Sequence, residues 1–201
     1  MKKQPLIIIG AGGHGRVVAD IATLNGYDHI SFLDDVDVSR MNVVGRISDF
    51  TKFIDNHDFF VAIGNNAVRK SFFDMVRTAG GTVATLCHPS AVFGSDVKLG
   101  QGVAAMAGVV VNNGATIGDG VILNTCCSVD HDCQIGSFAH ISVGTHLAGT
   151  VSVGECTFIG AGATVVNNIT ICKKCMIGAG ALVVKNIIES GTYVGVPSKH
   201  I

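Results

Sequence analysis

Over residues 1–85, short apolar segments alternate with longer amphipathic ones. The pattern predicts strands at 6–9, 30–33, 59–63 and 83–86, and helices at 16–24 and 67–79. Alternating strands and helices are typical of a parallel sheet with helices packed against it. We therefore expect a small N-terminal α/β Rossmann-like domain over residues 1–85, followed by a linker at 86–96.

From residue 97 onward, the apolar positions follow a six-residue period instead. Of the fifteen positions taken every sixth residue from Leu99 to Val183, fourteen are Leu, Ile or Val, which excludes chance as the explanation. Such a hexad describes one short strand and one turn, and three hexads close a triangular coil of about 18 residues. Stacking buries the apolar faces of the coils, so we expect five coils of a parallel β-helix within residues 97–201.

Composition narrows the classes of function. Glycine accounts for 26 of 201 residues and charged residues for 14%, which suits tight turns and buried strands. A net charge of -1 provides no basic surface for nucleic acid. No apolar run reaches membrane-spanning length, so we expect no membrane insertion. Seven cysteines, an odd number, and no expected secretory segment favour free thiols and a cytoplasmic location.

A glycine-rich loop, Gly-Ala-Gly-Gly-His-Gly at residues 10–15, joins the first predicted strand to the first helix. This G-x-G-x-x-G spacing allows a pyrophosphate to approach a helix N-terminus. The same spacing is equally compatible with NAD, whose ribose Asp34 would contact. It is also compatible with a strand–helix turn that binds no ligand. We favour a UDP-sugar because a domain of this length has no second mononucleotide half. The predicted substrate-binding residues follow three strands, and they are Gly12, Gly13, His14, Asp34, Asp35, Gly64 and Asn65.

Five segments occur in one order along the chain. They are the glycine-rich loop, Phe32-Leu33-Asp34-Asp35, Ala62-Ile63-Gly64-Asn65-Asn66, Asn124 with Val129-Asp130-His131-Asp132, and Val194-Gly195-Val196-Pro197-Ser198-Lys199. Together with the hexads they resemble the hexapeptide-repeat sugar acetyltransferases, and the Leu-Asp-Asp and Gly-Asn-Asn segments are most similar to the bacillosamine branch. The resemblance implies a C-terminal left-handed parallel β-helix, acetyl-CoA as co-substrate, and a homotrimer with active sites between subunits.

His131 is the candidate general base. Val129 of its hexad points inward, so His131 should project outward near a corner. An imidazole titrates near neutral pH and suits removal of a proton from an attacking amine. The resemblance makes His131 the base, and it usually supplies Glu where this chain has Asp132. Asp132 is the predicted orienting carboxylate, with Asp130 as a competing partner.

The resemblance implies that acetyl-CoA contacts His140, Ala161 and Ala179. The two alanines are also explained by packing alone, because small residues are common in this repeat. Three histidines, His131, His140 and His146, lie within sixteen residues and could together bind a metal ion. The hexad register places them on different faces, so we expect no metal site. Direct attack by an amine needs no acyl-enzyme, and Cys127, Cys133 and Cys175 are interpreted as core residues.

These features predict an acetyltransferase that moves an acetyl group from acetyl-CoA to the 4-amino group of a UDP-4-amino-4,6-dideoxy-N-acetylhexosamine, in glycan synthesis of the diacetylbacillosamine type. O-acetylation of sialic acid or another glycan hydroxyl is the alternative reaction. A non-catalytic, nucleotide-binding scaffold is the alternative class, and it would retain its activity after His131→Ala.

Overall fold

The computed structural model describes residues 3–36 and 41–201, and it divides into two compact units, Met1–Cys87 and His88–Ile201. Within the described residues, no helix is both long enough and apolar enough to cross a membrane.

The first unit is built on a five-stranded parallel sheet with the order β3-β2-β1-β4-β5. Its strands are β1 Leu6–Ile9, β2 Ile30–Leu33, β3 Val43–Gly45, β4 Asp58–Val61 and β5 Thr82–Val83. Strand β1 lies at the centre, and its four residues are fully buried. A central parallel strand is covered on both faces, which explains why this segment is apolar throughout. The predicted α/β architecture is confirmed.

Helices α1 (Gly13–Leu24) and α2 (Asn66–Thr78) follow β1 and β4, and a 3₁₀ helix covers Ile47–Phe53. Helix α1 begins three residues before the predicted start because the end of the glycine-rich loop is already helical. The 3₁₀ helix and β3 were not predicted, since residues 41–53 show no clear apolar period. The strand expected at 83–86 is interrupted, and a separate short strand, β6, forms at Leu86–Cys87.

The second unit is a left-handed β-helix whose short strands pair in parallel with the corresponding strands of the coils before and after. Ser128, for example, pairs with Val110 and His146. Face 1 consists of β7 Val92–Phe93, β10 Val110–Val111, β13 Ser128–Val129, β16 His146–Leu147, β19 Thr164–Val165 and β22 Leu182–Val183. Face 2 consists of β8 Lys98–Leu99, β11 Thr116–Ile117, β14 Gln134–Ile135, β17 Ser152–Val153 and β20 Thr170–Ile171. Face 3 contains β9 Ala104–Ala105, β12 Ile122–Leu123, β15 His140–Ile141, β18 Phe158–Ile159, β21 Met176–Ile177, β23 Thr192–Val194 and β24 Lys199–His200. Because β7 lies in face 1, the helix already includes part of the segment 86–96 that was expected to be a linker.

The hexad positions fill the core as predicted. Every position in the series from Ala105 to Val183 is buried. Leu99 is the exception at 37% exposure, because its strand pairs with a neighbour on one side only. Cys127, Cys133 and Cys175 are buried between the faces, which confirms their interpretation as core residues.

The corners of the helix repeat with the same period. Every sixth residue from Asp96 to Gly180 has a positive φ, and eight of these fifteen residues are not glycine. The left-handed residue comes three positions after the buried aliphatic one. Glycine directly after the aliphatic residue has a different cause: a Cβ on Gly136 would lie 2.6 Å from the Glu155 nitrogen of the next coil.

Candidate active site

His131 lies at the corner between faces 1 and 2, in the turn that follows β13. Its Nδ1 is 2.9 Å from Oδ2 of Asp132, and both side chains are more than half exposed. Asp132 occupies the left-handed corner position, with φ of 58°. The hydrogen bond to Asp132 raises the pKa of His131 above its ordinary value, and the nearby carboxylates of Asp130 and Asp132 act in the same direction.

Asp130 has a different function in this turn. Its Oδ1 accepts hydrogen bonds from the backbone N–H of His131 at 2.8 Å and from Nδ2 of Asn112 at 2.7 Å. These bonds hold the pKa of Asp130 below its ordinary value. Asp130 therefore fixes the backbone of the turn, and Asp132 contacts the imidazole ring. The side chain of Asp132, shorter than the Glu that the resemblance implies at this position, still reaches the ring.

Gly149 makes room for the imidazole one coil further on. A Cβ built on Gly149 would clash with Nε2 of His131 and lie 2.6 Å from Cε1. The ring edge that carries Nε2 thus rests over a position without a side chain. The sequence analysis missed Gly149, although its place exactly one coil after His131 in the hexad register was a usable signal.

A polar ladder on face 1 leads to this corner. Ser128 Oγ lies 2.8 Å from Nδ1 of His146, and Asn112 bonds to Asp130. These residues line a shallow surface cavity of about 350 Å³. The sequence analysis gave His146 no function and did not consider Asn112 or Ser128.

The residues predicted to contact acetyl-CoA lie along face 3 and the corner after it. His140 is buried on β15, its Nε2 is 3.2 Å from the Asn124 amide, and its ring meets Phe158 edge-on. Ala161 and Ala179 are exposed one coil apart in the turns after β18 and β21. The structure thus places Ala161 and Ala179 at the corner between faces 3 and 1, and His140 on face 3 before that corner. It places His131 at a different corner of the same chain.

Other candidate chemistry finds little support. Among the described residues, no group of three or more His, Cys, Asp or Glu side chains is placed to hold a metal ion. Cys172 and Cys175 have a Cys-x-x-Cys spacing that the sequence analysis overlooked, and their sulfurs are 3.4 Å apart. Both are free thiols, and burial together with the neighbouring Cys172 raises the pKa of Cys175 to about 11. A thiol with that pKa is a poor nucleophile at neutral pH.

In the first unit, the glycine-rich loop lies at the carboxyl edge of the sheet. Gly10 has φ of +103°, and Gly15 packs directly against its carbonyl. Gly12 and Gly13 are exposed, with open space where a Cβ on Gly12 would be. Asp34 accepts a hydrogen bond from the Ala11 N–H at 2.7 Å, so this carboxylate shapes the loop. Nucleotide-binding sheets present their ligand sites at this edge.

The remaining predicted substrate residues surround the same edge. His14 is in the first turn of α1, and burial, followed by the positive charge of Arg69, lowers its pKa to about 4. His14 is therefore neutral at physiological pH. Asp35 accepts from the Ile47 N–H at 3.2 Å, and the Asn65 side chain caps α2 by accepting from the Val68 N–H at 3.1 Å. Gly64 is open to solvent beside Asn65. Among the predicted substrate residues, Asp34, Asp35 and Asn65 thus already make hydrogen bonds within the protein, and His14 is largely buried. Gly12, Gly13 and Gly64 are exposed.

A hexapeptide-repeat β-helix with an exposed histidine–aspartate pair, preceded by an α/β unit with a glycine-rich loop, defines the class of a hexapeptide-repeat acyltransferase. Comparison with known proteins supports this class. The family model described as PglD N-terminal domain matches residues 5–76. UDP-N-acetylbacillosamine N-acetyltransferase of Bacillus subtilis is 31% identical over 109 residues, which cover 50% of this chain and only half the length of that relative.

Solved structures match over nearly the whole chain. The acetyltransferase domain of PglB from Neisseria gonorrhoeae is 38% identical and covers 99% of this chain and 100% of its own, with TM-scores of 0.96 and, in complex with acetyl coenzyme A, 0.94. PerB from Caulobacter crescentus, in complex with CoA and GDP-perosamine, is 39% identical, covers 98% of this chain and 97% of its own, and has a TM-score of 0.94. The chain belongs to the sugar N-acetyltransferases of the hexapeptide-repeat family.

Proposed function

We propose that this chain transfers the acetyl group of acetyl-CoA to the 4-amino group of a UDP-4-amino-4,6-dideoxy-N-acetylhexosamine, with His131 as general base. The observation that carries the proposal is the exposed His131 ring, which is oriented by Asp132 at 2.9 Å. Asp132 accepts from Nδ1–H, so Nε2 is left as the proton acceptor for the substrate amine.

In this reaction the amine nitrogen attacks the thioester carbonyl, a C–N bond forms and the C–S bond breaks. Nε2 of His131 takes the proton that the nitrogen loses, and the coenzyme A thiolate leaves and is then protonated. Asp132 stabilises the imidazolium that forms. A positioned base of this kind contributes about 10²–10⁴-fold in rate.

The assembly proposed is a homotrimer with active sites between subunits. One chain presents His131 at one corner, and it presents His140, Ala161 and Ala179 along face 3 and the corner after it. A neighbouring copy would bring its His140, Ala161 and Ala179 next to the His131 corner. Acetyl-CoA would then contact those three residues while its thioester reaches His131. Light scattering on the purified chain tests the assembly, and a monomer that turns over would contradict it.

The nucleotide part of the substrate is proposed to bind at the carboxyl edge of the first unit, within residues 1–85. Gly12, Gly13 and His14 would lie near the phosphates, and Asp34, Asp35, Gly64 and Asn65 near the nucleoside. Relatives that act on UDP- and GDP-linked amino sugars support a nucleotide sugar as acceptor. The seven free cysteines favour a reducing, cytoplasmic location.

The test is an acetyl-CoA consumption assay with four acceptors: a UDP-4-amino sugar, GDP-perosamine, a hydroxyl-bearing glycan and free sialic acid. We expect turnover with the UDP-amino sugar and a loss of about 10²–10⁴-fold in His131→Ala. His57→Ala is the matched control, because His57 precedes β4 at the opposite edge of the sheet and bonds to Asn56. Turnover with the hydroxyl acceptors alone would reject the N-acetyl assignment, and full activity in His131→Ala would reject the general base.

A further inference from the structure

A buried arginine stands behind the nucleotide edge of the first unit. Arg69 is only 1% exposed, although arginine is almost never fully buried without hydrogen-bonding partners. Its Nη1 donates to the carbonyl oxygens of Ile63 at 2.9 Å and Gly64 at 3.1 Å, and its Nη2 donates to Oδ1 of Asn66 at 2.9 Å. One guanidinium thus joins the middle of the connection between β4 and α2 to the first residue of α2.

That connection also supports the glycine-rich loop. A Cβ on Gly10 would lie 2.9 Å from the Ala62 oxygen and 3.3 Å from Cγ1 of Ile63. The Ala62 N–H donates to the Ile9 oxygen at 2.8 Å, directly before the loop. A shift of Ala62 or Ile63 would therefore disturb Gly10, the first residue of the glycine-rich loop, by direct contact.

We propose that Arg69 is a positioning residue that fixes the 63–66 connection against the 10–15 loop, and so shapes the pocket for the nucleotide part of the sugar substrate. The inference rests on the proposed function, because it assigns the nucleotide to this edge. Asp34, directly after β2, accepts a hydrogen bond from Ala11 on one side of the proposed pocket. Arg69 on α2 donates to Ile63 on the other side. Burial, followed by the positive charge of Arg69, also lowers the pKa of His14 in the first turn of α1.

Arginine suits this function better than lysine. Three acceptors in different directions match a planar fork of five N–H donors, whereas an ammonium group is a compact point charge. Arg69→Lys should therefore keep the charge and lose part of the loop geometry. Arg69→Gln should lose both.

The experiment measures KM for the UDP-amino sugar, KM for acetyl-CoA, kcat and melting temperature in three variants. We expect Arg69→Gln to raise the sugar KM about 10–100-fold, with kcat and the acetyl-CoA KM within about threefold of wild type. Arg69→Lys should show an intermediate sugar KM, and it keeps the test valid if the glutamine variant does not fold.

Val76→Ala is the matched control, because Val76 is fully buried on the same helix and its Cγ1 lies beside Gly81, after the end of that helix. It should lower the melting temperature and leave the sugar KM unchanged. An unchanged sugar KM in Arg69→Lys, or an equal rise in Val76→Ala, would overturn the inference. Failure of the proposed function is distinct, since the wild-type chain would then turn over no nucleotide sugar at all.

Discussion

Replacing Gly149 with alanine tests whether the placement of the His131 ring limits the reaction. A Cβ at this position would lie 2.6 Å from Cε1 of His131, whereas ordinary contacts begin at 3.4 Å. The ring must therefore move by about 0.8 Å or more to restore an ordinary contact. The backbone of Gly149 is not in the left-handed region, so alanine introduces no strain of its own.

The size of the effect follows from this displacement. A misplacement of about 1 Å at a reacting group costs on the order of 10²-fold in rate. The ring is more than half exposed and swings into solvent at little cost to the fold. We expect kcat/KM for the amino sugar to fall about 100-fold while the melting temperature stays within a few degrees of wild type.

Gly191→Ala provides the matched control in a steady-state acetyl-CoA assay with a parallel thermal melt. A Cβ at Gly191 would press on the His200 ring in the same way, far along the chain from His131. This variant should keep wild-type activity. If Gly149→Ala retains activity within threefold of wild type, or if both variants lose activity equally, the placement of His131 is not what limits the rate.

Three further changes probe the site and the core. Asp132→Asn removes the main cause of the raised pKa of His131, so the acidic limb of the pH profile of kcat/KM should move to lower pH; an unmoved limb would contradict the assignment. Asn124→Ala removes the amide that bonds to His140, and steady-state kinetics should show a KM for acetyl-CoA raised about tenfold with an unchanged sugar KM. Leu147→Ala leaves a cavity between the faces and should cost about 2–5 kcal/mol in urea unfolding, whereas a cost below about 1 kcal/mol would mean that the coils collapse around it.

The fold was predictable where a period is strong. The hexad series located the buried aliphatic residues from Ala105 to Val183, because each coil repeats the geometry of the coil before it. The start of the β-helix was placed too late, since Val92 and Phe93 precede the regular series. Strand β3 was missed because such a short edge strand carries too few positions to show a period.

The candidate site was predictable in its residue types but not in its contacts. The sequence suggested both Asp130 and Asp132 as partners of His131, and only the backbone conformation of the turn separates their functions. Gly149 was missed because it acts through His131, one coil earlier in the chain. Arg69 was missed because two of its acceptors, the carbonyls of Ile63 and Gly64, lie before the helix that carries it. Arg69 would have passed for a solvated helix residue, and its burial depends on how α2 packs against the sheet.

If the active site is shared between two copies of the chain, a mixture of two inactive variants should recover a defined fraction of activity. A site within one chain would recover none. His131 lies at the corner after face 1 and His140 lies on face 3, so His131→Ala and His140→Ala damage different halves of each shared site. If the two variants are unfolded together and refolded as a 1:1 mixture, about a quarter of the shared sites receive an intact half from each chain. We therefore expect the mixture to recover about 25% of wild-type kcat/KM, although each variant alone is nearly inactive. A mixture that stays as inactive as its components would mean that both halves must come from one chain. Because the two outcomes differ by far more than the assay error, this experiment decides the assembly without a structure of the complex.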